Sequence, residues 1–235
     1  MHRDPIMNDH IDQGIGFPLE LLLTLLCLGL WMTYVTAAIT SNSKHHRKWP
    51  LHRYVCSFLG IVCAAVAVVG PLAHQAHAYF PAHMIGHLLL GMLAPLLLVL
   101  AAPMTLLLRT LSVSAAKRVS RFLKSRPLRI FSHPIVTSVL NIGGLWILYT
   151  TNVYVDMQHN LLLHLIIHFH VFAAGYLFTA SMIYMDPVAH RLSYMYRSIV
   201  LMIALAGHAI LSKYIYANPP AGVPHHEAEI GGMLM

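Results

Sequence analysis

Residues 83–108 read HMIGHLLLGMLAPLLLVLAAPMTLLL. An apolar run of this length can cross the ~30 Å hydrocarbon core of a bilayer as a helix, which takes about 20 residues. Two histidines, His83 and His87, stand at its start, four positions apart and therefore on one face of a helix. Because ionisable residues are costly inside a membrane helix, this pair indicates more than hydrophobic packing.

The rest of the chain has the same apolar character. Of its 235 residues, 57% are hydrophobic and only 10% are charged, whereas soluble domains contain about 25% charged residues. We therefore predict an all-α, polytopic membrane helix bundle with six transmembrane helices. The six predicted spans are residues 17–40, 54–73, 83–108, 134–153, 158–183 and 195–217. Pro95 and Pro103 fall in the third span, where we interpret them as packing bends.

Basic residues predict the orientation of the bundle. Of the 15 Lys and Arg residues, all but Arg3 and Lys213 lie in three alternate connections, which the positive-inside rule assigns to the cytoplasm. These connections lie near residues 44–53, 109–129 and 191–197. Both termini are then outside. The predicted organisation is an extracytoplasmic segment 1–16, a transmembrane domain 17–217 and an extracytoplasmic tail 218–235.

The charge distribution also excludes two other interpretations. The segment before the first span carries Asp4, Asp9 and Asp12, whereas a cleaved signal peptide begins with positive charge. The net charge of +7 is concentrated in the loop 109–129, which we interpret as a lipid-facing surface or a short interfacial helix. The lipid bilayer is thus an expected partner, and nucleic acid is not.

Six of the 18 histidines fall inside three predicted spans. With a rise of about 1.5 Å per residue, all but one of them lie roughly 7–18 Å below the outer surface, and the sixth lies near that surface. The six are His83, His87, His164, His168, His170 and His208. We predict that they form a metal site, because neutral imidazole binds copper, zinc, iron and nickel. The alternative for any single histidine is a hydrogen bond between helices.

Four segments resemble the CtaG-type cytochrome c oxidase assembly factors, which are polytopic bacterial membrane proteins. They are HMIGHLLLGMLAPLLLVLAAPMTLLLRTL, HPIVTSVLNIGGLWILY, HFHVFAAGYLF and DPVAHRLSYMYRSIVLMIALAGHAIL, and together they cover about residues 70–217. The resemblance implies a role in maturing haem-copper oxidase in the bacterial plasma membrane, through copper supply or insertion. Oxidase subunits and an extracytoplasmic copper donor are the implied partners.

The family's histidines fall on His83, His87, His170 and His208, whereas His164 and His168 are supported by their spacing. The chain departs from the family pattern at Tyr149, where many members have a histidine, and this departure leaves the number of ligands open.

Three functions remain in competition. The first is a non-catalytic copper carrier, in keeping with the absence of HExxH and glycine-rich nucleotide motifs from the sequence. The second is a haem b cytochrome, with His87 opposed to His168 or His170. The third is a metal-free scaffold in which the histidines only join helices.

Overall fold

The computed structural model describes residues 16–46, 48–188 and 191–235, and the regular secondary structure in these residues is entirely helical. Asp4, Asp9, Asp12 and Arg47, and with them most of the predicted segment 1–16, lie outside the described residues. The helices are α1 (Phe17–Lys44), α2 (Leu51–Val68), α3 (Pro71–Ala78), α4 (Phe80–Leu100), α5 (Pro103–Thr110), α6 (Val113–Leu123), α7 (Arg126–Phe131), α8 (Pro134–Thr150), α9 (Val153–His159), α10 (Leu161–Ile183), α11 (Tyr194–Ala217) and α12 (His225–Leu234).

Five of these helices (α1, α2, α4, α10 and α11) are long and apolar enough to cross a membrane. Helices α8 and α9 would supply a sixth crossing as a broken span, because they meet at an angle of 79°. The all-α, multi-pass architecture predicted from the sequence is therefore confirmed. The break falls at Thr151 and Asn152, inside the predicted span 134–153. The first helix of this span therefore ends at Thr150.

The predicted third span, 83–108, is in fact two helices. Helix α4 ends at Leu100, Ala102 adopts a left-handed backbone with φ of 50°, and Pro103 begins α5. Proline disfavours a helical conformation in the residue before it and cannot donate a backbone hydrogen bond. Asp186 caps the new helix, since its Oδ1 accepts a hydrogen bond of 2.7 Å from the backbone N–H of Thr105.

Pro95 has a different effect. Its ring leaves the carbonyl of Gly91 without the usual N–H donor, and the turn just before it, Leu89–Leu93, is π-helical. Helix α10 approaches this turn closely. A Cβ on Gly175 would lie only 2.1 Å from the Gly91 carbonyl oxygen, so glycine is required where α10 crosses α4.

The bundle has two chemically different ends. At the first, which we call the histidine end, α4 and α10 begin and α8 and α11 end. A buried cluster that includes Phe80, Tyr149 and Tyr154 fills it. At the opposite end, which we call the basic end, Lys44 Nζ donates a hydrogen bond of 2.7 Å to the Thr110 carbonyl. The connections after α1, α4 and α10 meet there.

Residues 218–235, predicted as a tail, include a helix that packs on the bundle. The Ser212 hydroxyl of α11 donates a hydrogen bond of 2.7 Å to the Gly232 carbonyl of α12. Gly231 faces the Phe80 ring so closely that a Cβ there would lie 2.6 Å from it. Helix α12 thus covers the N-terminal turn of α4, the turn that carries His83.

Candidate metal-binding site

The first histidine pair lies at the start of α4. His83 and His87 are 8% and 7% exposed, one turn apart on the side of α4 that faces the bundle. The N-terminus of α4 is fixed by Glu227 of α12, whose Oε2 accepts a hydrogen bond of 2.8 Å from the backbone N–H of Phe80. A carboxylate at a helix N-terminus is favourable because of the helix dipole, so Glu227 helps to hold the pair in place.

The second pair lies at the start of α10. Asn160 caps this helix, since its side-chain oxygen accepts a hydrogen bond of 3.2 Å from Leu163 N. The rings of His164 and His168 stack with centroids 4.1 Å apart. His168 Nδ1 donates to the carbonyl of His164 at 2.9 Å, which leaves Nε2 of His168 as the nitrogen with a lone pair. A second-shell bond of this kind orients a ligating imidazole in metal sites.

His208 of α11 faces His87 of α4. Their rings are nearly parallel, with an interplanar angle of 18° and centroids 6.4 Å apart. The Nε2 atoms of both rings are buried and have no hydrogen-bond partner among the described residues, and the same is true of Nδ1 of His164. An unsatisfied buried polar atom costs about 1–3 kcal/mol. A bound cation that accepted these lone pairs would remove that cost.

His83 lies between the His164–His168 pair and the His87–His208 pair, and it has a hydrogen-bond partner of its own. Its Nε2 is 3.2 Å from the Tyr149 hydroxyl, and its ring centroid is 6.5 Å from that of His168. Tyr149 also contacts His87, with centroids 6.4 Å apart. Tyr149 therefore lies inside the candidate site, in contact with the rings of both His83 and His87.

His170 does not join the other five. It is exposed, and its Nε2–H donates to the Leu140 carbonyl of α8 at 3.2 Å. His168 and His170 are two residues apart, which turns them to nearly opposite faces of α10. The ring of His170 fills the space beside Gly144, where a Cβ would lie 2.5 Å from Nε2. Its contacts are those of a helix-packing residue.

Taken together, five of the six predicted residues form a row of rings rather than one coordination shell. The row continues to His77 of α3, whose ring centroid is 5.0 Å from that of His164. In the part of the chain that the structure describes, no three His, Cys, Asp or Glu side chains are gathered closely enough to hold one ion. The row offers pairs of imidazoles along its length, from His77 through His164, His168, His83 and His87 to His208.

Three small cavities lie along the row, and their volumes limit what can bind. The first, of about 10 Å³, is lined by His164 and His168. The second, of about 20 Å³, is lined by His83 and His168. The third, of about 30 Å³, is lined by His87 and His208. A water molecule needs roughly 10–15 Å³, whereas organic ligands occupy pockets of about 300–1,000 Å³. The thioether residue Met92 and the amide residue Asn141 line the last cavity too. These spaces suit a bare ion.

Two residues of the site were not predicted from the sequence as members. Glu227 is 147 positions from Phe80, and no local pattern connects them. His77 is half-buried, and burial together with the nearby His74 lowers the pKa of its imidazole. His74 Nε2 in turn lies 2.7 Å from Oε1 of Glu20 in α1. The spacing of His74 and His77 on one short helix was the available signal for this part of the row.

The fold and the site define a multi-pass membrane protein with buried histidines at one end. The profile of the family described as cytochrome c oxidase caa3 assembly factor (Caa3_CtaG) matches residues 32–235. The chain therefore belongs to this family, as its motifs predicted.

Curated relatives are mycobacterial proteins described as uncharacterized. Those of Mycobacterium bovis and Mycobacterium tuberculosis are each 31% identical to the chain over 182 residues, which is 74% of the chain and 27% of the relative. A relative from Mycobacterium leprae is 29% identical over 168 residues, 68% of the chain and 26% of the relative. The chain thus spans about a quarter of the length of these relatives. No solved structure is significantly similar to it.

Proposed function

We propose that the chain assists the assembly of a haem-copper cytochrome c oxidase by carrying copper on its buried histidines. Family membership supports the oxidase as the partner. The location that goes with this function is the bacterial plasma membrane, with both termini and the histidine end on the extracytoplasmic side, as the basic connections favour. A copper donor on that side would load the protein.

The observation that carries the copper proposal is the pair of unpartnered Nε2 atoms on His87 and His208. The two residues belong to different helices, and both line one small cavity. Neutral imidazole binds several transition metals, and thioether sulfur selects Cu(I) among them. Met92, in the wall of the same cavity, therefore favours copper over zinc.

The row arrangement supports transfer rather than permanent storage. An ion held by two imidazoles is less tightly enclosed than one in a complete four-ligand shell, so it can exchange to the next pair. His164 and His168 form such a pair near α3, and His83 lies between them and His87. We propose that copper enters beside His77 and reaches His208, where an oxidase subunit would receive it.

Metal analysis tests this function. Purified wild-type protein and the variants His87→Ala, His208→Ala and His170→Ala are loaded with Cu(I) against a chromogenic chelator. Wild type and His170→Ala should retain copper, whereas His87→Ala and His208→Ala should lose the tightest site. Equal copper in all four proteins would remove the proposed site. Co-purification of oxidase subunits with the wild type tests the partner.

The two competing functions predict different results. Haem b would give an intense Soret absorption band, but the cavities along the row, of about 10–30 Å³, are far smaller than pockets for organic cofactors. A metal-free scaffold would lose stability when its histidines are replaced, with no change in bound metal. The absorption spectrum and the copper titration together separate the three functions.

A further inference from the structure

A second candidate site lies at the basic end, away from the row of buried histidines. A cleft of about 780 Å³ opens between the ends of α1 and α5 and one side of α6. Its position is fixed by contacts between the helix ends. Lys44 donates a hydrogen bond to the Thr110 carbonyl at 2.7 Å, and the ring of His45 donates to the Arg109 carbonyl at 3.2 Å. These contacts build the wall opposite α6.

The lining combines positive charge with an apolar floor. Lys117 and Arg121 lie on α6, Lys124 follows its last residue, and Leu108 and Leu111 line the same cleft. The guanidinium of Arg109, in the same lining, stands 5.2 Å from the centroid of the Trp49 ring. A basic cleft with an apolar floor matches an amphiphile that carries negative charge at one end.

The described carboxylates that have partners are engaged elsewhere. Glu20 pairs with His74 and Glu229 with His225, while Asp186 and Glu227 accept backbone N–H groups at helix N-termini. Among the described residues, Lys117, Arg121 and Lys124 have no carboxylate within ion-pair distance. The positive charge of α6 is therefore balanced by no acidic side chain in the described part of the chain.

Helix α6 lies on the surface of the bundle with its apolar residues uncovered. None of its residues is buried, and Val113 and Phe122 are 72% and 65% exposed. Because α1 and α4 are long enough to span the membrane, the ends of α1 and α5 place the cleft at the boundary between hydrocarbon and water. An amphipathic basic helix at this depth inserts its apolar side among lipid tails and attracts anionic lipid.

We propose that this cleft binds an anionic phospholipid, with the phosphodiester held by Lys117, Arg121 and Lys124 and an acyl chain along Leu108 and Leu111. Basic pockets between the ends of membrane helices are a common site for anionic headgroups. The lipid would fix α6 against α1 and α5. This site involves none of the six histidines predicted as metal ligands, so it stands independently of the copper proposal.

Binding of a short-chain lipid to the purified full-length protein in detergent tests this site. Dioctanoyl phosphatidylglycerol, which is anionic, is titrated into the wild-type protein. Dioctanoyl phosphatidylcholine, which is zwitterionic, tests whether binding depends on headgroup charge. Inorganic phosphate tests whether binding depends on the lipid tails. We expect the anionic lipid to bind at least about tenfold more tightly than the zwitterionic one. Inorganic phosphate should not displace it.

Two triple variants separate the cleft from general surface charge. The cleft variant is Lys117→Gln, Arg121→Gln and Lys124→Gln, and the matched control is Lys48→Gln, Arg118→Gln and Arg126→Gln, three exposed residues outside the cleft. The cleft variant should lose about tenfold in affinity for phosphatidylglycerol and the control less than about twofold. Equal losses in both variants, equal binding of the two lipids, or displacement by phosphate would each overturn the proposal. Gel filtration and thermal unfolding verify that both variants are folded.

Discussion

The histidine end and the basic end treat their polar side chains in opposite ways. At the histidine end, His83, His87, His164 and His208 are at most 9% exposed and their rings contact one another. At the basic end, no residue of α6 is buried and the cations face outward. Buried nitrogens without hydrogen-bond partners favour a bound metal ion inside the bundle. Exposed basic side chains beside apolar residues instead favour contact with the lipid that surrounds the bundle. Burial, rather than residue type, separates the two functions.

The largest expected effect comes from the contact that holds α4 and α10 together. In Gly175→Ala, the new Cβ would lie 2.1 Å from the Gly91 carbonyl oxygen, and the helices must separate. We expect a loss of about 3 kcal/mol or more in the free energy of unfolding, together with loss of copper at the histidine end. Denaturation in mixed micelles measures the first effect. Gly29→Ala is the matched control, because no atom of the described residues lies within 4 Å of a Cβ at that position.

The next effect concerns the pair that joins α4 to α11. His87→Ala and His208→Ala should each weaken Cu(I) binding by at least about 100-fold, since loss of a residue that only orients a metal ligand already costs about 10–100-fold and each variant removes a proposed ligand. The double variant should be little weaker than either single one, because the two residues act as a unit. Competition with a Cu(I) chelator gives the affinities. Additive losses would mean that the two rings do not share an ion.

Tyr149 offers a substitution in the opposite direction. Tyr149→His introduces a third imidazole beside His83 and His87 and should tighten Cu(I) binding. Tyr149→Phe keeps the ring but removes the 3.2 Å contact with His83. It should cost about 1 kcal/mol of stability and leave copper stoichiometry unchanged. Weaker binding in Tyr149→His would contradict the arrangement of ligands along the row.

A smaller effect is expected from the cap on α4. Glu227→Gln removes the charge that faces the helix N-terminus but keeps an oxygen that can accept from Phe80 N–H. Loss of this dipole interaction costs about 0.5–1 kcal/mol. Thermal unfolding detects the change, and Glu229→Gln serves as its control because the partner of Glu229 among the described residues is an exposed histidine, His225. An equal shift of the unfolding temperature in both variants would contradict the capping role of Glu227.

The smallest effect is expected when basic residues at the basic end are replaced and copper binding at the histidine end is measured. Replacement of Lys117, Arg121 and Lys124 by Gln should change the unfolding free energy by less than about 0.5 kcal/mol in a zwitterionic detergent. Copper stoichiometry should stay at the wild-type value, as the two ends share no contact on which it depends. Loss of copper in this variant would show that the ends are coupled.

The bundle was predictable because membrane-spanning segments reveal themselves through length and composition. Two details were not. Pro103 was interpreted as a bend, yet the left-handed Ala102 and the cap by Asp186 turn it into the start of a new helix. The 79° break after Thr150 likewise depends on the packing of α9 against α10, a contact between separate helices that hydropathy does not record.

The candidate site was predictable only in part. The i, i+4 spacing correctly placed His83 beside His87 and His164 beside His168. It could not distinguish His168 from His170 as the inward residue, nor identify the hydroxyl of Tyr149 as the partner of His83. These features depend on how α4, α8 and α10 meet in space, and the contacts involved join residues about 30 to 70 positions apart.

X-ray absorption at the copper edge tests the central claim most directly. Wild-type protein loaded with one equivalent of Cu(I) should show scattering from imidazole rings, and this signal should weaken in His208→Ala and be retained in His170→Ala. A spectrum dominated by sulfur from cysteine, or one unchanged by His208→Ala, would contradict the assignment of His87 and His208 as copper ligands.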